Sequence, residues 1–441
     1  MVQLSNNNVV AEESDLPLPE LEEFLRVNIN TEKDDTRYIE CLSLIERMTR
    51  SNYKDQLKVD QEGKKLLQRT TALHFVARRD VPMESSELRA LFGVYDRFER
   101  NYVDETGLSH FHVACRFGLY DVVEQYIEAG QSPDLRPLQT VDPPLHLALH
   151  YGHWKTAKLL LSRGRADPNA TSRDGLTPLH VLSQNPKSDT DLAQTLLRGD
   201  VAVRVDAWDK FGNTPLHLAL HYGNAKMVEF LLRHGANPNF VNGALMAPLH
   251  VISRRDRYGN LTELFFSVAA DEMNLSVQVD AKDNKDNTPL HYALQRGLKR
   301  VVVLLLRRGA DPNLAGAGGD NCLHILCRKQ YDGELIDAFF EVINDRRQLM
   351  EVNAQDERGD TPLHLALRRD DQAMAELLLR SGADALLANK EGDTPLLMMS
   401  RNHDECRDLL DILTSLTLNQ PQMVLIEVVS SSATTVTSTV A

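Results

Sequence analysis

The sequence has little of what marks several common classes of protein. It holds two tryptophans and five dispersed cysteines in 441 residues, a pattern typical of a reducing compartment. The apolar run at residues 423–429 is seven residues long and contains Glu427, so no membrane-spanning helix is expected. The first fifteen residues, MVQLSNNNVVAEESD, lack the basic start and apolar stretch of a signal peptide. We therefore expect a cytoplasmic protein, with the nucleus as the alternative address.

The charge and the missing motifs argue against two further classes. There are 63 acidic and 49 basic residues, for a net charge of −14, so neither nucleic acid nor an anionic membrane is the expected ligand. The sequence contains no P-loop, HExxH or GxSxG pattern. We expect no enzymatic activity and no cofactor. At 441 residues, either several domains or a repeat array is expected rather than one globular core.

One motif recurs along most of the chain, and NTPLHLALHYG at residues 213–223 is its clearest copy. Versions of TPLH end in a histidine nine times, and a tenth copy, TPLL, ends in Leu397. The successive gaps are 38, 34, 34, 37, 33, 41, 33, 40 and 33 residues. Repetition at this period indicates a solenoid, in which each unit packs only on its neighbours. The nine histidines are at positions 74, 112, 146, 180, 217, 250, 291, 324 and 364.

The motif predicts a pair of helices followed by a turn. Thr214 is a good N-cap, because its hydroxyl can accept a hydrogen bond from a backbone N–H in the first turn. Pro215 suits the first helical position, and Gly223 ends the helix. A second helix is predicted over residues 225–233, with apolar residues at helical spacing on one face. The turn at residues 235–239 then contains Gly, Asn and Pro.

TPLHxA at a period near 33, with a turn and two helices per unit, resembles the ankyrin repeat. The resemblance covers residues 63–415, in about ten repeats. It implies an all-α solenoid of stacked helix-turn-helix units with β-turn fingers. It also implies a partner protein bound along the concave face, which the finger tips and the first helices of the units form.

The segments outside the array have a different composition. Residues 1–16 are polar and acidic, and we expect them to be disordered. Residues 17–62 show two stretches of helical spacing, which we interpret as an N-terminal cap over the first repeat. Residues 416–441 are rich in Ser and Thr and are expected to form a flexible tail. Within this tail, MVLIEVV has strong β propensity, so pairing with a partner strand is the alternative to a coil against the last repeat.

The repeat explains the histidines and cysteines that could otherwise suggest catalysis or metal binding. The nine motif histidines are expected to bond the cap hydroxyl and nearby backbone, which would hold adjacent units in register. Cys322, His324 and Cys327 have a spacing that suggests a metal site, but no fourth ligand is evident and Cys322 takes the proline place of the motif. The glycine-rich segment at residues 316–319 matches a turn between repeats. We therefore predict no metal site.

Positions that vary between repeats are the candidates for partner contact, because packing does not require them. Asn287 and Asp360 are predicted to lie at turn tips, in addition to the turn-tip residues in the candidate set given below. His150, Tyr151, His221 and Tyr222 form the strongest subset, and their replacement is expected to weaken binding without lowering the thermal midpoint. The full set of candidate residues is Arg116, Phe117, His150, Tyr151, Lys210, Phe211, Asn213, His221, Tyr222, Asn284, Lys285, Gln295, Arg296, Glu357, Arg358, Arg368 and Arg369.

The sequence thus predicts a protein-binding scaffold or adaptor, expected to be a monomer, whose partner it does not name. Two alternatives stay open. One is the substrate-recognition subunit of a ubiquitin ligase, although no convincing F-box or SOCS-like segment appears in residues 1–62 or 416–441. The other is a cytoplasmic factor that inhibits or retains a transcription factor.

Overall fold

A computed structural model describes residues 43, 45–46, 54–55, 66–78, 83–136, 141–187, 190–329, 331, 333–401 and 407–418. Backbone contacts divide the chain into two compact units, residues 1–278 and residues 279–441. Twenty α-helices lie in the described part, and they follow one another as ten pairs. None of these helices combines the length and apolar character needed to cross a bilayer. The predicted all-α class is confirmed.

The first unit contains six helix pairs. Within this unit the first helices of neighbouring pairs pack on one another, as α9 does on α7 and α11, and the second helices from α4 to α12 stack in the same way. The last pair continues through a π-helical turn, Ser267–Glu272. The helices are α1 Ala72–Arg78, α2 Ser85–Val94, α3 His110–Arg116, α4 Tyr120–Glu128, α5 Pro144–His150, α6 Trp154–Ser162, α7 Pro178–Gln184, α8 Thr190–Leu197, α9 Pro215–Tyr222, α10 Ala225–Arg233, α11 Pro248–Ser253 and α12 Asn260–Phe266.

The second unit contains four helix pairs and packs in the same manner. A short 3₁₀ turn at Ala317–Gly319 precedes its second pair, as expected for a turn between repeats. Its helices are α13 Pro289–Arg296, α14 Lys299–Arg307, α15 Cys322–Arg328, α16 Gly333–Asp345, α17 Pro362–Arg368, α18 Gln372–Arg380, α19 Pro395–Arg401 and α20 Arg407–Leu418.

The repeat around residue 217 shows why the motif folds in this way. Pro215 begins α9, and Gly223 ends it in the left-handed region at φ 71°. The second helix, α10, covers Ala225–Arg233 as predicted, and Met227 and Leu231 on its inner face are fully buried. Burial of such side chains between neighbouring pairs supplies the stability that a single hairpin lacks.

Several fingers between repeats are closed by a short polar side chain, an acid, an amide or a hydroxyl. Oδ1 of Asp209 accepts from the backbone N–H groups of Phe211 and Asn213, both at 2.8 Å. The same pattern of acceptance from residues two and four positions later recurs in six other fingers. The residues that close them are Asp104, Ser172, Asn242, Asp283, Asp356 and Asn389.

Neighbouring fingers are also joined through their backbones. In the first unit, the N–H of Lys210 donates to the carbonyl of Asp174 at 3.0 Å, and that of Gly243 donates to Phe211 at 2.9 Å. In the second unit, the N–H of Glu357 donates to Gly318 at 2.9 Å. Side chains on these fingers are therefore carried by a backbone that is hydrogen-bonded to a neighbouring finger.

Five of the nine motif histidines contact both the cap side chain and the backbone of the next repeat, which is the structural role that was predicted; they are at positions 180, 217, 291, 324 and 364. The side chain of His217 is almost fully buried, and its Nδ1 lies 2.9 Å from the hydroxyl of Thr214. Its Nε2 contacts the carbonyl of Met246 in the next finger at 2.9 Å. His180 does the same with Asn213 at 2.9 Å. The Thr214 hydroxyl thus makes its cap contact to the ring.

Several predictions about the flanks fall on residues outside the described ranges. These are the disordered N-terminus at 1–16, nearly all of the helical cap at 17–62, and the strand-like MVLIEVV. The array has no break at residue 415, because α20 continues to Leu418, three residues into the predicted tail.

Candidate protein-binding surface

The candidate residues separate into two rows at opposite ends of the first helices. The finger row precedes the helix N-terminus, and the helix-end row lies at the helix C-terminus. In the repeat of α9, which covers Pro215–Tyr222, the helical residues 215–220 separate the two rows by about 9 Å at 1.5 Å per residue. The finger row contains Lys210, Phe211, Asn213, Asn284, Lys285, Glu357 and Arg358. The helix-end row contains Arg116, Phe117, His150, Tyr151, His221, Tyr222, Gln295, Arg296, Arg368 and Arg369.

The finger row of the first unit carries an exposed aromatic ring. The side chain of Phe211 is 63% exposed, and the ammonium of Lys210 lies 5.1 Å from the ring centroid. Lys210 also forms an ion pair with Asp174 on the preceding finger. Asn213, in contrast, is half-buried, and its side-chain oxygen accepts from the amide of Asn242 at 2.8 Å. Its side chain thus joins two fingers.

Three exposed apolar residues of these fingers were missed at the sequence level. Trp208 is 67% exposed, and its indole makes an edge contact with the ring of Phe240, with centroids 6.1 Å apart. Val241 and Leu245 on the next finger are 41% and 50% exposed. The sequence does contain a sign of them, because each is an apolar residue at a repeat position that is expected to be exposed.

Leu245 is also held in an unfavourable backbone conformation. Its φ is 56°, at the place where the preceding finger has Gly212 with φ 77°. A branched side chain in the left-handed region is uncommon and costs roughly 1–2 kcal/mol. The observation motivates a hypothesis that the exposed leucine side chain is kept for contact with a partner.

The helix-end row of the first unit contains two histidine–tyrosine pairs. His150 and Tyr151 are exposed and meet edge to face at 5.1 Å, and His221 and Tyr222 do so at 5.0 Å. The guanidinium of Arg116 lies 4.7 Å from the ring centroid of Tyr151. The rings are therefore positioned by neighbours while they stay in contact with solvent.

A cleft of about 590 Å³ adjoins the second of these pairs. It lies between the α9–α10 loop and the α11–α12 loop, within the first unit. Leu220 and Ile252, which are buried, and Leu261 supply apolar lining, while Tyr222 and Tyr258 are 47% and 67% exposed. His221, Arg255, Asp256 and Arg257 contribute the polar and charged groups.

Charge around the cleft is dominated by arginine. Nη1 of Arg255 donates to the carbonyl of His221 at 2.8 Å, which joins the two loops. Burial lowers the pKa of His221, and the nearby Arg255 and Arg254 lower it further. The carboxylate of Asp256 accepts from the N–H and the hydroxyl of Thr262, both at 2.7 Å. It is therefore directed to the start of α12.

In the second unit the candidate residues differ in their surroundings. Asn284, Lys285, Gln295, Arg296, Glu357 and Arg358 are exposed. Arg368 forms a two-point ion pair with Asp360, at 2.7 and 3.0 Å, and Arg369 donates to the carbonyl of Arg328. Those two arginines therefore hold neighbouring segments together as well as facing solvent.

The structure corrects the expected turn tips at two positions. Asn287 and Asp360 are buried, at 5% and 1% exposure. The Oδ1 of Asp360 accepts from the amide of Asn389 at 2.8 Å, so this carboxylate faces the next finger. Both residues belong to the closing side of the finger, which faces the repeat body.

The cysteine and histidine side chains of α15 are buried in the repeat. Nε2 of His324 contacts the carbonyl of Asp360 at 3.0 Å. Burial raises the pKa of the Cys322 and Cys327 thiols well above the usual range, which disfavours the thiolate forms that bind metals. Among the described residues, no group of three or more metal-ligating side chains is close enough to hold an ion.

Comparison with protein families gives matches over most of the array. The family model described as ankyrin repeats (3 copies) matches residues 111–206, 145–242, 187–271 and 323–419. A second model, ankyrin repeat, matches residues 285–317. Together these stretches cover more than half of the chain.

Relatives among characterised proteins share the repeats within different larger chains. Transient receptor potential cation channel subfamily A member 1 of Drosophila melanogaster is 27% identical over 54% of this chain, which spans 23% of that protein. The B-cell lymphoma 3 protein homolog of Mus musculus is 30% identical over 57% of this chain and 53% of its own length. Ankyrin repeat and SOCS box protein 16 of Mus musculus is 29% identical over 73% of this chain and 71% of its own. The solved ankyrin repeat domain of Bcl-3 aligns over 55% of this chain and 99% of that domain, with 27% identity and a TM-score of 0.45.

Proposed function

We propose that this chain, which belongs to the ankyrin-repeat family, is a non-enzymatic scaffold or adaptor that binds a partner protein through its fingers and first helices. The observation that carries the proposal is the exposure of Trp208 and Phe211 on one finger whose backbone is hydrogen-bonded to the finger on either side of it. We further propose that it acts in the cytoplasm or the nucleus.

Rigid, exposed aromatic side chains favour binding for two reasons. Tryptophan and tyrosine are enriched among the residues that dominate interface energies. A side chain on a preformed backbone also loses less conformational entropy when it is covered. Val241 and Leu245 extend the apolar surface to the next finger, and contiguous exposed apolar surface is typical of interaction sites.

The proposal is tested by capture of partners on the full chain, followed by mass spectrometry and a binding titration with each recovered protein. The variant is Trp208→Ser combined with Phe211→Ser. We expect it to lose binding by on the order of ten-fold or more, because two anchors are removed. Its thermal midpoint should stay near that of the wild type, since neither side chain is buried.

Leu349→Ser is the matched control. Leu349 is an apolar side chain with 87% exposure in the loop after α16, away from any finger or helix-end position. The Leu349→Ser variant should bind the partner as the wild type does. Equal binding by the finger variant would contradict the proposal for these fingers, and failure to capture any partner would contradict the function as a whole.

A second candidate is the substrate-recognition arm of a ubiquitin ligase. The alignment over 71% of the length of a SOCS box protein favours keeping it. Its test is a parallel capture with residues 63–418, which keeps the whole of α20. Cullin or elongin-type proteins that bind the full chain and are lost on truncation would support it, and their absence from the full chain would exclude it.

A further inference from the structure

We infer that the cleft beside His221 and Tyr222 binds a short acidic segment of the partner protein, one in which Asp or Glu adjoins an apolar residue. The inference rests on the proposed function and specifies the chemistry of one part of its surface. It follows from the shape of the cleft, from its charge, and from the difference between this charge and that of the whole chain.

The shape of the cleft suits a few side chains. Its volume of about 590 Å³ lies within the range of roughly 300–1,000 Å³ that is common for binding pockets. Leu261 and the exposed rings of Tyr222 and Tyr258 give it apolar surface, with the buried Leu220 and Ile252 beneath them. An aliphatic or aromatic side chain of a peptide would lie against these groups.

The charge of the cleft requires an acidic neighbour for that apolar side chain. Arg255 and Arg257 line the cleft and are exposed. Arg255 is held at the junction of the two loops by its bond to the carbonyl of His221. A guanidinium has five N–H donors in a planar fork that matches a carboxylate, so one such bond leaves its capacity for a peptide carboxylate.

The acidic residue in the lining does not cancel this charge. Both contacts of Asp256 with Thr262 are made through Oδ2, at 2.7 Å, which directs the carboxylate to the start of α12. Asp256 is half-buried, whereas Arg255 and Arg257 are exposed, so the two guanidiniums outnumber the one carboxylate in the lining.

The net charge of the chain selects a peptide over a polyanion. A nucleic acid would meet a protein with 63 acidic and 49 basic residues, and the summed charge would oppose its approach. A short segment with one or two carboxylates carries little charge, so its binding depends mainly on the nearby arginines and much less on the net charge of the whole chain. A phosphorylated segment is the competing ligand, and the test distinguishes the two.

The experiment starts from a peptide-display selection on the folded full chain, with a library of short random peptides. Enriched sequences are then synthesised with a fluorescent label and titrated by polarisation. We expect enrichment of Asp or Glu next to Leu, Ile, Phe or Tyr. Arg255→Glu combined with Arg257→Glu should weaken binding by on the order of ten-fold or more, since each carboxylate then meets like charge.

Two controls keep the result specific. Arg198→Glu combined with Arg204→Glu makes the same change in net charge at exposed positions outside the cleft, and this variant should bind as the wild type does. Arg257→Glu alone leaves the bond between Arg255 and His221 intact, and it should still lose affinity. Thermal midpoints for all variants verify that each is folded.

The outcomes separate the cleft from the wider function. Enrichment of basic or purely apolar peptides, no enrichment, or equal affinity for the cleft variant would overturn the acidic-segment site. If phosphoserine in place of the acidic residue is required for binding, the unmodified acidic ligand is overturned. None of these results would contradict the proposed function, because partner binding by the fingers is tested separately by the capture experiment, without the peptides.

Discussion

Nε2 of His217 lies 2.9 Å from the carbonyl oxygen of Met246, and this contact ties the start of one repeat to the finger of the next. A carbonyl oxygen only accepts, so Nε2 carries the proton. Nδ1 is then the acceptor, and it faces the backbone N–H of Thr214 at 3.2 Å. The ring therefore satisfies groups in two repeats at once, which explains why the motif repeats a histidine.

The first prediction concerns this contact. His217→Ala should lower the free energy of unfolding by roughly 1–3 kcal/mol or more, because it leaves buried groups of Thr214 and Met246 without their partner. His221→Ala, one turn later in α9 and exposed, should change it by less than about 0.5 kcal/mol. Urea denaturation measures both. Equal losses would mean that the buried contact has no special weight.

The second prediction is the response to acid. Burial lowers the pKa of His112, His146 and His217 to about 4, against an ordinary value of 6.5. The folded protein keeps these rings neutral, while the unfolded chain takes up protons below pH 6.5. The stability due to the neutral rings is therefore complete above pH 6.5 and is lost as the pH falls towards 4.

The slope of this loss is set by the number of protons taken up. Each ring that is protonated only on unfolding contributes about 1.4 kcal/mol per pH unit. Urea denaturation across the interval from pH 6.5 to 4 should show a steep fall in the free energy of unfolding. A flat profile over that interval would contradict the role of the buried histidines.

The third prediction concerns the carboxylate that closes a finger. Asp209→Ala should cost roughly 2–3 kcal/mol, because the N–H groups of Phe211 and Asn213 lose their acceptor. Asp209→Asn should cost far less, since Asn242 closes the next finger with the same two bonds, at 2.9 and 3.1 Å. Thermal unfolding of the two variants makes the comparison. A similar loss for both would place the effect in the charge and not in the acceptor.

The sequence predicted the repeat, the helix pair at residues 215–233 and the role of the motif histidines, because each is a local pattern that returns at a fixed spacing. It predicted less about the surface. Asn287 and Asp360 share the finger segment with exposed neighbours, yet their side chains turn inward to bond the backbone or the next finger. Buried and exposed residues of a finger differ only in the direction of the side chain, and the order of residues in the sequence does not give that direction.

The cleft beside His221 was missed for a related reason. Arg255 and Arg257 lie in the segment RRDRY, outside the repeated motif, and α11 ends before it at Ser253. Their approach to Tyr222 depends on how two loops of different length meet. Aligning the repeats shows which positions are equivalent, but this cleft arises where two repeats differ, so the alignment does not predict it.

The fourth prediction separates backbone strain from contact between fingers. Gly212 and Gly223 have nearly the same φ, 77° and 71°. A Cβ at residue 212 would lie 2.6 Å from the backbone nitrogen of Gly243, whereas one at residue 223 would meet nothing within 4 Å. Gly223→Ala should therefore cost only the strain of the left-handed conformation, about 1 kcal/mol. Gly212→Ala should cost more, because it also pushes apart the fingers that the bond from Gly243 to Phe211 joins. The finger variant should also lose partner affinity, since Phe211 moves with its backbone. Equal losses of stability in urea, with partner affinity unchanged, would show that the fingers do not need to be held together.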